Sequence, residues 1–408
     1  MRILYLQMFP LYGSGSGTYA RELAVEVAKK HKVAIVAPDK TKMSGIKSYP
    51  VDLPVKIAFT GHPAWPNCQL YTEVSGKDLS SNYLSYFREI VRAVDDFEPD
   101  IIHVHHLMPL TWISRFIKIA YGLNFIVTAH GSELPTLERD KRYPYLTAEA
   151  LSKAVRIAAN SFWTKEWMQK VFGTQFNKKT RVIPGAVDVR MFPSEMETSD
   201  IDSKYKLKGQ KLILFSGKLT KYKGVKNLIQ AAKNINATIG IAGDGPERKN
   251  LEQVAKDLNA KNVKFFGYID NKDLIKLYYR ADVCVVPSVW DEPLGLVVLE
   301  AMASKTPVVV TRKGGIPLMV KDEYNGLFVR PHNAKEIANK VNILLSDDDM
   351  RKKMGEQARK TVLDKFTWEL IAAKYERMYA EFRKKEKPVE TNGKTNGNGL
   401  LGRVFDRK

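Results

Sequence analysis

The stretch KLILFSGKLTKYKGVKNLIQAAKNINATIGIAG, residues 211–243, contains two apolar runs separated by a glycine-bearing turn and a periodic segment. The runs KLILFSG and ATIGIAG have the length of strands, and VKNLIQAAKNI repeats its apolar residues at helical spacing. Apolar strands that alternate with helices are typical of a parallel sheet with both faces covered. This stretch therefore predicts one strand–helix–strand unit of an α/β fold.

The same alternation extends in both directions along the chain. It continues through the strands VKFFG, VCVVPS and PVVVT, and it precedes the stretch in RILYLQMF, HKVAIVAP, PDIIHVHH, NFIVTAH and VRIAANS. The polar, turn-rich run 191–210 separates two halves, and residues 41–78 read as an irregular insertion. The pattern predicts an α/β protein with two Rossmann-like doubly wound domains facing across a cleft.

The composition fits two domains and favours an anionic partner. With 408 residues, of which 44% are hydrophobic, the chain is long enough for two large cores. Its net charge of +20 would attract anionic lipids, acidic glycans or nucleotides, or it reflects a lysine-rich solvated surface. Because no nucleic-acid motif accompanies the charge, we expect no nucleic-acid partner.

Cysteine usage and hydropathy indicate the compartment. Cys68 and Cys284 form neither a metal-ligand spacing nor a disulfide framework. The opening run MRILYLQMFP is too short for a signal peptide, and no run approaches ~18 unbroken apolar residues. We therefore expect a soluble cytoplasmic protein, or one that lies peripherally at the inner face of a membrane.

Two turns at predicted strand ends could hold an anion, because ligands of such sheets bind at the carboxyl ends of the strands. Lys218 and Lys223 lie between Gly217 and a helix, and two ammonium groups on one turn suit a diphosphate without a metal ion. Gly15, Ser16 and Gly17 precede another helix, where a close backbone can bind an anion. The alternatives are solvated surface lysines and a plain flexible turn.

The segment WDEPLGLVVLEAMASKTPVVV, residues 290–310, carries carboxylates in an apolar setting. Pro293 suits a first helical turn, so Glu292 is expected in the preceding loop and Glu300 in a helix over 295–304 that is otherwise apolar. A buried Glu300 needs partners, which the hydroxyls of a ribose would supply. The backbone N–H groups of 294–296 would face a phosphate. The alternative is that Glu300 bonds within the core and Glu292 is a surface cap.

His130 ends the predicted strand in VTAHGSEL, where a lone histidine is more often structural than chemical. The turn IAGDGPE, which contains Gly243 and Gly245, is explained by turn chemistry alone.

These motifs together resemble family 4 of the retaining glycosyltransferases with GT-B architecture (the group 1 glycosyltransferases). The spacing Glu292-x7-Glu300 resembles that family's paired-glutamate motif, and GKLTKYKG resembles its lysine-bearing turn. The segments VIPGAVD, AGDGPE, FFGYID, ADVCVVPS and GGIPLMV…NGLFV follow in the family's order. The resemblance covers roughly residues 1–385 and is most specific in the second half.

The resemblance implies a role for each candidate residue. Lys218 and Lys223 would bind the donor diphosphate, Glu300 the ribose, and Glu292 the donor sugar. The resemblance implies four catalytic residues, Glu292, His130, Lys218 and Lys223. It implies that the donor is bound by Gly15, Ser16, Gly17, Gly217, Lys218, Lys223, Tyr268, Ile269, Leu294, Gly295, Leu296 and Glu300. It implies no metal ligand. Lys218 stands where the family often has Arg, Leu294 where it often has Phe, and Gly185 where it often has Asn.

The implied activity is that of a metal-independent, retaining hexosyltransferase without a bound cofactor. Its partners would be a nucleoside-diphosphate sugar (a UDP-sugar is favoured, with GDP-mannose as the alternative) and a glycan, lipid-linked or small hydroxyl acceptor. Two other readings are a sugar-nucleotide epimerase or other non-transferase enzyme on the same scaffold, and a basic protein that binds nucleic acid or membranes through its charge.

The predicted domain boundaries follow from the pattern and the resemblance. We expect an acceptor-binding domain over 1–195 and a nucleotide-sugar domain over 196–365. A terminal helix over 366–384 is expected to cross back to the first domain, and the polar tail 385–408 is expected to be disordered.

Overall fold

The structure, a computed structural model, describes residues 1–62 and 64–382. It divides into two compact units, each with its own sheet. The first unit comprises Met1–Ala158, Val171–Arg181 and the chain from Tyr375; the second comprises Ala159–Lys170 and Val182–Lys374. Residues 182–195, expected in the first domain, group with the second because Phe192 lies in its core. The tail predicted over 385–408 lies outside the described residues.

The first unit is built on a seven-stranded sheet with the order β3-β2-β1-β6-β7-β8-β9. Its strands are β1 (Arg2–Leu6), β2 (Lys32–Ala37), β3 (Ile46–Pro50), β6 (Ile101–His105), β7 (Phe125–Ala129), β8 (Arg156–Ala159) and β9 (Thr180–Val182), and β4 (Ile57–Ala58) pairs separately with β5 (Gln69–Leu70). The helices are α1 (Gly15–Ala28), α2 (Gly76–Phe97), α3 (Leu110–Tyr121), α4 (Leu134–Arg139), α5 (Pro144–Lys153) and α6 (Phe162–Phe172). The expected insertion over 41–78 thus contributes β3, an edge strand parallel to β2.

The second unit is built on a six-stranded sheet with the order β12-β11-β10-β13-β14-β15, whose paired strands are all parallel. The strands are β10 (Leu212–Ser216), β11 (Thr238–Ala242), β12 (Val263–Gly267), β13 (Val283–Val286), β14 (Val308–Thr311) and β15 (Leu327–Val329). The helices are α7 (Ser199–Tyr205), α8 (Val225–Ala231), α9 (Arg248–Asp257), α10 (Asn271–Arg280), α11 (Leu296–Ala303), α12 (Ala334–Ser346), α13 (Asp348–Lys365) and α14 (Trp368–Ala380).

Burial on both faces explains the apolar runs of this second sheet. Leu212 and Leu214 pack into one core cluster, whereas Ile213 and Phe215 pack into the other. Because successive side chains of a strand point to opposite faces, a strand buried on both sides must be apolar throughout.

Two helices near the predicted site differ in detail from their sequence-based bounds. Helix α11 begins at Leu296, and Pro293 lies in the loop before it. The left-handed φ of 88° at Gly295 prevents the helix from extending back to the proline. Helix α14 begins in the second unit and ends in the first. No helix in the described part of the chain is long and apolar enough to span a membrane.

Candidate active site

The lysine-bearing turn after β10 contacts the loop that follows the neighbouring strand β13. A short 3₁₀ turn, Lys221–Lys223, is followed by Gly224 with a φ of 67°. A Cβ atom at Gly224 would lie 2.0 Å from the carbonyl oxygen of Pro287, just after β13. In addition, the N–H of Val289 donates to the carbonyl oxygen of Tyr222 over 2.9 Å. The glycine therefore allows the turn after β10 and the loop after β13 to meet.

The contact brings two predicted site residues into an ion pair. The Nζ atom of Lys223 lies 2.6 Å from Oε1 of Glu292, and the hydroxyl of Ser288 donates to the same oxygen over 2.8 Å. Glu292 is only 7% exposed. The alternative interpretation of Glu292 as a surface cap is therefore wrong, because its carboxylate is buried against a cation and a hydroxyl. Ser288 was not predicted, although it ends the quoted strand VCVVPS.

The backbone around Glu292 is fixed by a pair of glycines after β14. The N–H of Gly315 donates to the carbonyl oxygen of Glu292 over 2.7 Å, and the N–H of Gly314 donates to the Asp291 carboxylate over 3.0 Å. A Cβ atom at Gly315 would lie 2.4 Å from the carbonyl oxygen of Pro293. The loop that carries Glu292 is thereby held from two sides.

Glu300 has partners different from those of Glu292. Its carboxylate accepts a hydrogen bond of 2.9 Å from the hydroxyl of Tyr278, which also bonds to Ser216 at the end of β10. Burial raises the pKa of Glu300, and the Tyr278 hydroxyl opposes that rise. The core hydrogen bond considered for Glu300 is therefore present, while the residue as a whole remains partly exposed. The two glutamates share one loop-and-helix unit without sharing a partner.

The remaining predicted residues of the second unit differ in exposure. Lys218 is exposed, Leu294 is buried, and Tyr268 is 83% exposed while its neighbour Ile269 is 8% exposed. Gly217 lies beside Gly243, where an added Cβ atom would be 2.0 Å from the Gly217 carbonyl oxygen.

Helix α11 has no side-chain cap and no acidic residue in its first turn. No capping side chain therefore competes with an anion for its first N–H groups, at Leu296 and Val297, whereas the N–H of Val298 donates to the carbonyl oxygen of Gly295.

In the first unit, the glycine-rich segment forms the beginning of α1. The hydroxyl of Ser14 accepts a hydrogen bond from the N–H of Gly17 over 3.1 Å. A Cβ atom at Gly17 would lie 2.3 Å from the carbonyl oxygen of Pro10, so only glycine fits there. The predicted Gly15 and Ser16 belong to the same first turn. One turn on, the ring of Tyr19 lies edge-on to His130 with centroids 5.1 Å apart, which brings the predicted histidine next to this helix.

His130 is one member of a buried histidine cluster that extends over two strands. Its Nε2 atom lies 3.0 Å from Nδ1 of His105, and its backbone N–H donates to Glu133 over 3.0 Å. The carboxylate of Glu133 lies 3.1 Å from Nδ1 of His106. His103 bonds to the hydroxyl of Thr128 over 2.7 Å. The cluster was not predicted, although the motif HVHH and the glutamate three residues after His130 are signals for it in the sequence.

Tyrosine hydroxyls connect this cluster to α14. His103 bonds to the hydroxyl of Tyr379 over 2.7 Å, and that hydroxyl bonds to Tyr5 over 2.8 Å. The hydroxyls of Tyr19 and Tyr375 lie 2.9 Å apart. The terminal helix therefore supplies two phenols to the buried polar network of the first unit.

Burial keeps three of the histidines, His103, His105 and His130, neutral. It lowers the pKa of His103 to about 3 and lowers the pKa values of His105 and His130 well below the usual range for histidine. Burial alone would raise the pKa of Glu133, but the His106 ring and the backbone N–H groups bring it below its ordinary value. His130 is therefore a neutral hydrogen-bonding group near neutral pH.

Comparisons with known proteins agree with this architecture. A family model described as glycosyl transferases group 1 matches residues 197–361, and one described as glycosyltransferase family 4 matches residues 13–190. The glycosyltransferase MJ1607 of Methanocaldococcus jannaschii is 33% identical over 298 residues, which cover 69% of this chain and 75% of that protein. The N-acetyl-alpha-D-glucosaminyl L-malate synthase of Bacillus anthracis is 27% identical over 72% of this chain and 77% of its own length.

Solved structures share the fold. Sucrose-phosphate synthase from Thermosynechococcus elongatus superimposes with a TM-score of 0.75 at 21% identity, covering 93% of this chain and 99% of that chain. HepE of Anabaena, in complex with UDP, superimposes with a TM-score of 0.75 at 18% identity, covering 93% and 100%. The predicted GT-B fold with Rossmann-like domains is thus confirmed, as is a transferase rather than an epimerase or a non-catalytic basic protein. The chain belongs to the group 1, family 4 glycosyltransferases.

Proposed function

We propose that this enzyme transfers a sugar from a nucleoside-diphosphate sugar to a hydroxyl acceptor, with retention at the anomeric carbon and without a metal ion. The observation that carries the proposal is the Lys223–Glu292 ion pair, whose lysine shares the turn after β10 with the exposed Lys218. Two ammonium groups and the uncapped N-terminus of α11 would stabilise the negative charge that develops on a leaving diphosphate.

The geometry favours a positioning role for Glu292. Its Oε1 atom already accepts from both Lys223 and Ser288. A carboxylate neutralised in this way is a weak nucleophile, and it is well placed to hold a sugar hydroxyl. We assign Glu300 to the ribose hydroxyls, because a buried carboxylate with a raised pKa gains most from added hydrogen-bond donors.

The other predicted residues receive supporting roles in this proposal. The backbone at Tyr268 and Ile269 would hold the base, and the N–H groups of 294–296 the phosphate. In the first unit, the backbone at 15–17 would contact phosphate, and His130 would donate or accept one neutral hydrogen bond to the donor sugar.

We favour uridine as the base of the donor. Among proteins of the same fold, HepE of Anabaena has been crystallised with UDP and with UDP-glucose. GDP-mannose is the alternative donor. For the acceptor we propose a glycan, a glycolipid or a small hydroxyl compound, with the enzyme in the cytoplasm or peripheral at an anionic membrane surface, which its charge of +20 would favour.

The melting temperature measured with UDP, GDP or ADP tests the donor site. A ligand at a hundred times its dissociation constant adds about 2.7 kcal/mol to the free energy of unfolding. We expect a rise with one nucleotide that persists in EDTA and is lost in Lys223→Ala. A rise that requires a divalent cation would reject the metal-independent mechanism, and no rise with any nucleotide would reject the donor site itself.

Retention has its own test. The anomeric configuration of the product, measured by proton NMR coupling constants during the first minutes of turnover, should equal that of the donor sugar. A product of inverted configuration would overturn this part of the proposal.

A further inference from the structure

Four aromatic rings form a continuous cluster in the second unit. We define the aromatic platform as Trp163, Trp167, Tyr222 and Trp290. The ring centroids of Trp163 and Trp167 are 4.5 Å apart, and those of Trp167 and Trp290 are 5.9 Å apart. Tyr222 lies over Trp290 with centroids separated by 5.4 Å and an interplanar angle of 49°. Three separate segments of the chain therefore bring their aromatic side chains to one place.

The platform is adjacent to the ion pair of the candidate site. Tyr222 immediately precedes Lys223, and Trp290 lies two residues before Glu292. The backbone hydrogen bond from Val289 to Tyr222 joins the two segments directly. The position of Glu292, to which we assign the transferred sugar, is therefore fixed next to these rings.

The rings are not fully covered by protein. Tyr222 is 59% exposed, and the three tryptophans are partly exposed. Phe162, in the first turn of α6, adds a further aromatic ring that is 60% exposed. Large aromatic side chains usually bury most of their water-accessible surface on folding. A contiguous group of them that stays exposed therefore marks a binding surface.

We propose that the aromatic platform is a saccharide subsite, on which a pyranose ring of the acceptor stacks with its C–H face against Tyr222 and Trp290. This inference rests on the proposed function, because it places the acceptor next to the transferred sugar. A pyranose has an apolar face and a polar rim, which suits neutral rings bordered by the exposed Lys221 and by Lys223. Of four other aromatic side chains that the sequence offers for stacking on a sugar, Trp65, Tyr71 and Trp112 are buried, and Tyr145, which is 82% exposed, lies in the first unit.

A printed array of oligosaccharides that contain glucose, galactose, mannose or N-acetylglucosamine tests the subsite with the full-length protein. The protein carries a fluorescent label, and 1 mM UDP is present, since about a millimolar would saturate a typical nucleotide site. We expect wild type to retain at least one class of saccharide. Tyr222→Ala and Trp290→Ala should each lower the retained signal about three- to tenfold, the effect of one lost aromatic contact.

Matched variants separate stacking from general damage. Tyr222→Phe keeps the ring and should bind as wild type does. Tyr324→Ala removes another partly exposed tyrosine of the second unit, 38% exposed, and should also bind normally. If wild type retains no saccharide, or if Tyr222→Ala and Trp290→Ala bind as well as Tyr324→Ala, the subsite is rejected. The UDP-induced rise in melting temperature, measured on the same samples, reports separately on the donor site.

Discussion

The strand ends of the two units carry polar groups of opposite electrical character. In the second unit, Lys223 and Glu292 are both charged and neutralise each other over 2.6 Å. In the first unit, His103, His105 and His130 are held neutral by burial. Charge is therefore maintained where an anionic diphosphate would bind, whereas these three imidazoles, whose partners are phenols, a threonine hydroxyl and other imidazoles, stay neutral. The Glu133 carboxylate of the same cluster keeps its charge, because the His106 ring and backbone N–H groups stabilise it.

Access to water explains the difference. The Lys223 side chain is 26% exposed, so its ammonium group retains part of its hydration while pairing with Glu292. His103 is fully buried, and no carboxylate contacts its ring among the described residues. A buried basic group with no negative charge nearby stays deprotonated, because its charged form would lose the hydration that stabilises it in water. The predictions below test this contrast, beginning with the largest expected effect.

Removal of the cation should have the greatest consequence. Lys223→Ala takes away a charge proposed to stabilise the leaving diphosphate and leaves the Glu292 carboxylate with Ser288 alone. We expect the rate of sugar transfer to fall ~10²–10³-fold. Initial rates of nucleotide release measure this effect. The exposed Lys226 in α8 provides the control, because Lys226→Ala should remain near wild type. Equal losses of rate in both variants would mean that the pairing of Lys223 with Glu292 does not matter for transfer.

Neutralisation of Glu300, the carboxylate that we assign to the ribose hydroxyls, should have the next largest effect. Glu300→Gln keeps the shape but loses the charge-assisted hydrogen bonds, each worth about 1.5–3 kcal/mol. We expect the dissociation constant for the nucleotide, measured by calorimetry at pH 7.5, to rise at least tenfold.

The pH dependence of that loss provides an internal control. Burial raises the pKa of Glu300, with the Tyr278 hydroxyl opposing it, so the carboxylate takes up a proton at a higher pH than an ordinary glutamate. As the pH falls toward the raised pKa, wild type becomes neutral at this position and should approach the affinity of Glu300→Gln. A difference that stays constant down to pH 4.5 would contradict the proposed role of the charge.

The neutral histidines should make the first unit sensitive to acid. Because their pKa values are lowered on folding, the unfolded chain binds more protons below about pH 6.5, and stability is lost as the pH falls from there toward the lowered values. Each such histidine costs about 1.4 kcal/mol of unfolding free energy per pH unit in that window. Urea denaturation at pH 7.5, 6.5 and 5.5, followed by a probe in the first unit, measures the slope.

Single substitutions identify which histidines are responsible. His103→Gln removes one buried imidazole and should make the slope shallower by about 1.4 kcal/mol per pH unit. The exposed His332 is the matched control, and His332→Gln should leave the slope as in wild type. If the two variants give the same slope, burial does not control protonation in this cluster.

The elements that the sequence predicted well are those with one strong physical signal. β10 and β11 are apolar on both faces, so these strands followed from pattern alone. Glu300 was correctly placed in an otherwise apolar helix, although the residue remains partly exposed. β3, IKSYP, was missed because only Ile46 and Tyr49 are buried, their spacing of three does not follow the alternation of a strand, and the run contains a lysine and a proline at an edge. Edge strands tolerate such residues, and their pattern therefore resembles that of a loop.

The hydrogen-bond and ion-pair partners of the site residues could not be predicted from the spacing of residues along the sequence. Lys223 and Glu292 are 69 positions apart and meet because β10 and β13 are neighbours in the sheet, an order that periodicity does not encode. Tyr278 reaches Glu300 from α10 for a similar reason. The histidine cluster could not be predicted from His130 by itself, because its contacts depend on neighbouring strands and on two tyrosines of α14.

The smallest expected effect tests whether burial, rather than ion pairing as such, distinguishes the site. Arg330 and Glu336 form an ion pair of 2.9 Å, similar in length to that of Lys223 and Glu292, but the Arg330 side chain is 79% exposed. Exposed pairs contribute about 0–1 kcal/mol, because water and salt screen both charges. Arg330→Ala should therefore shift the urea midpoint only slightly, and 0.5 M salt should remove even that shift. Lys223→Ala, which leaves the buried Glu292 carboxylate without its cation, should shift the midpoint further, and equal midpoint shifts in the two variants would mean that the site pair owes nothing to its burial.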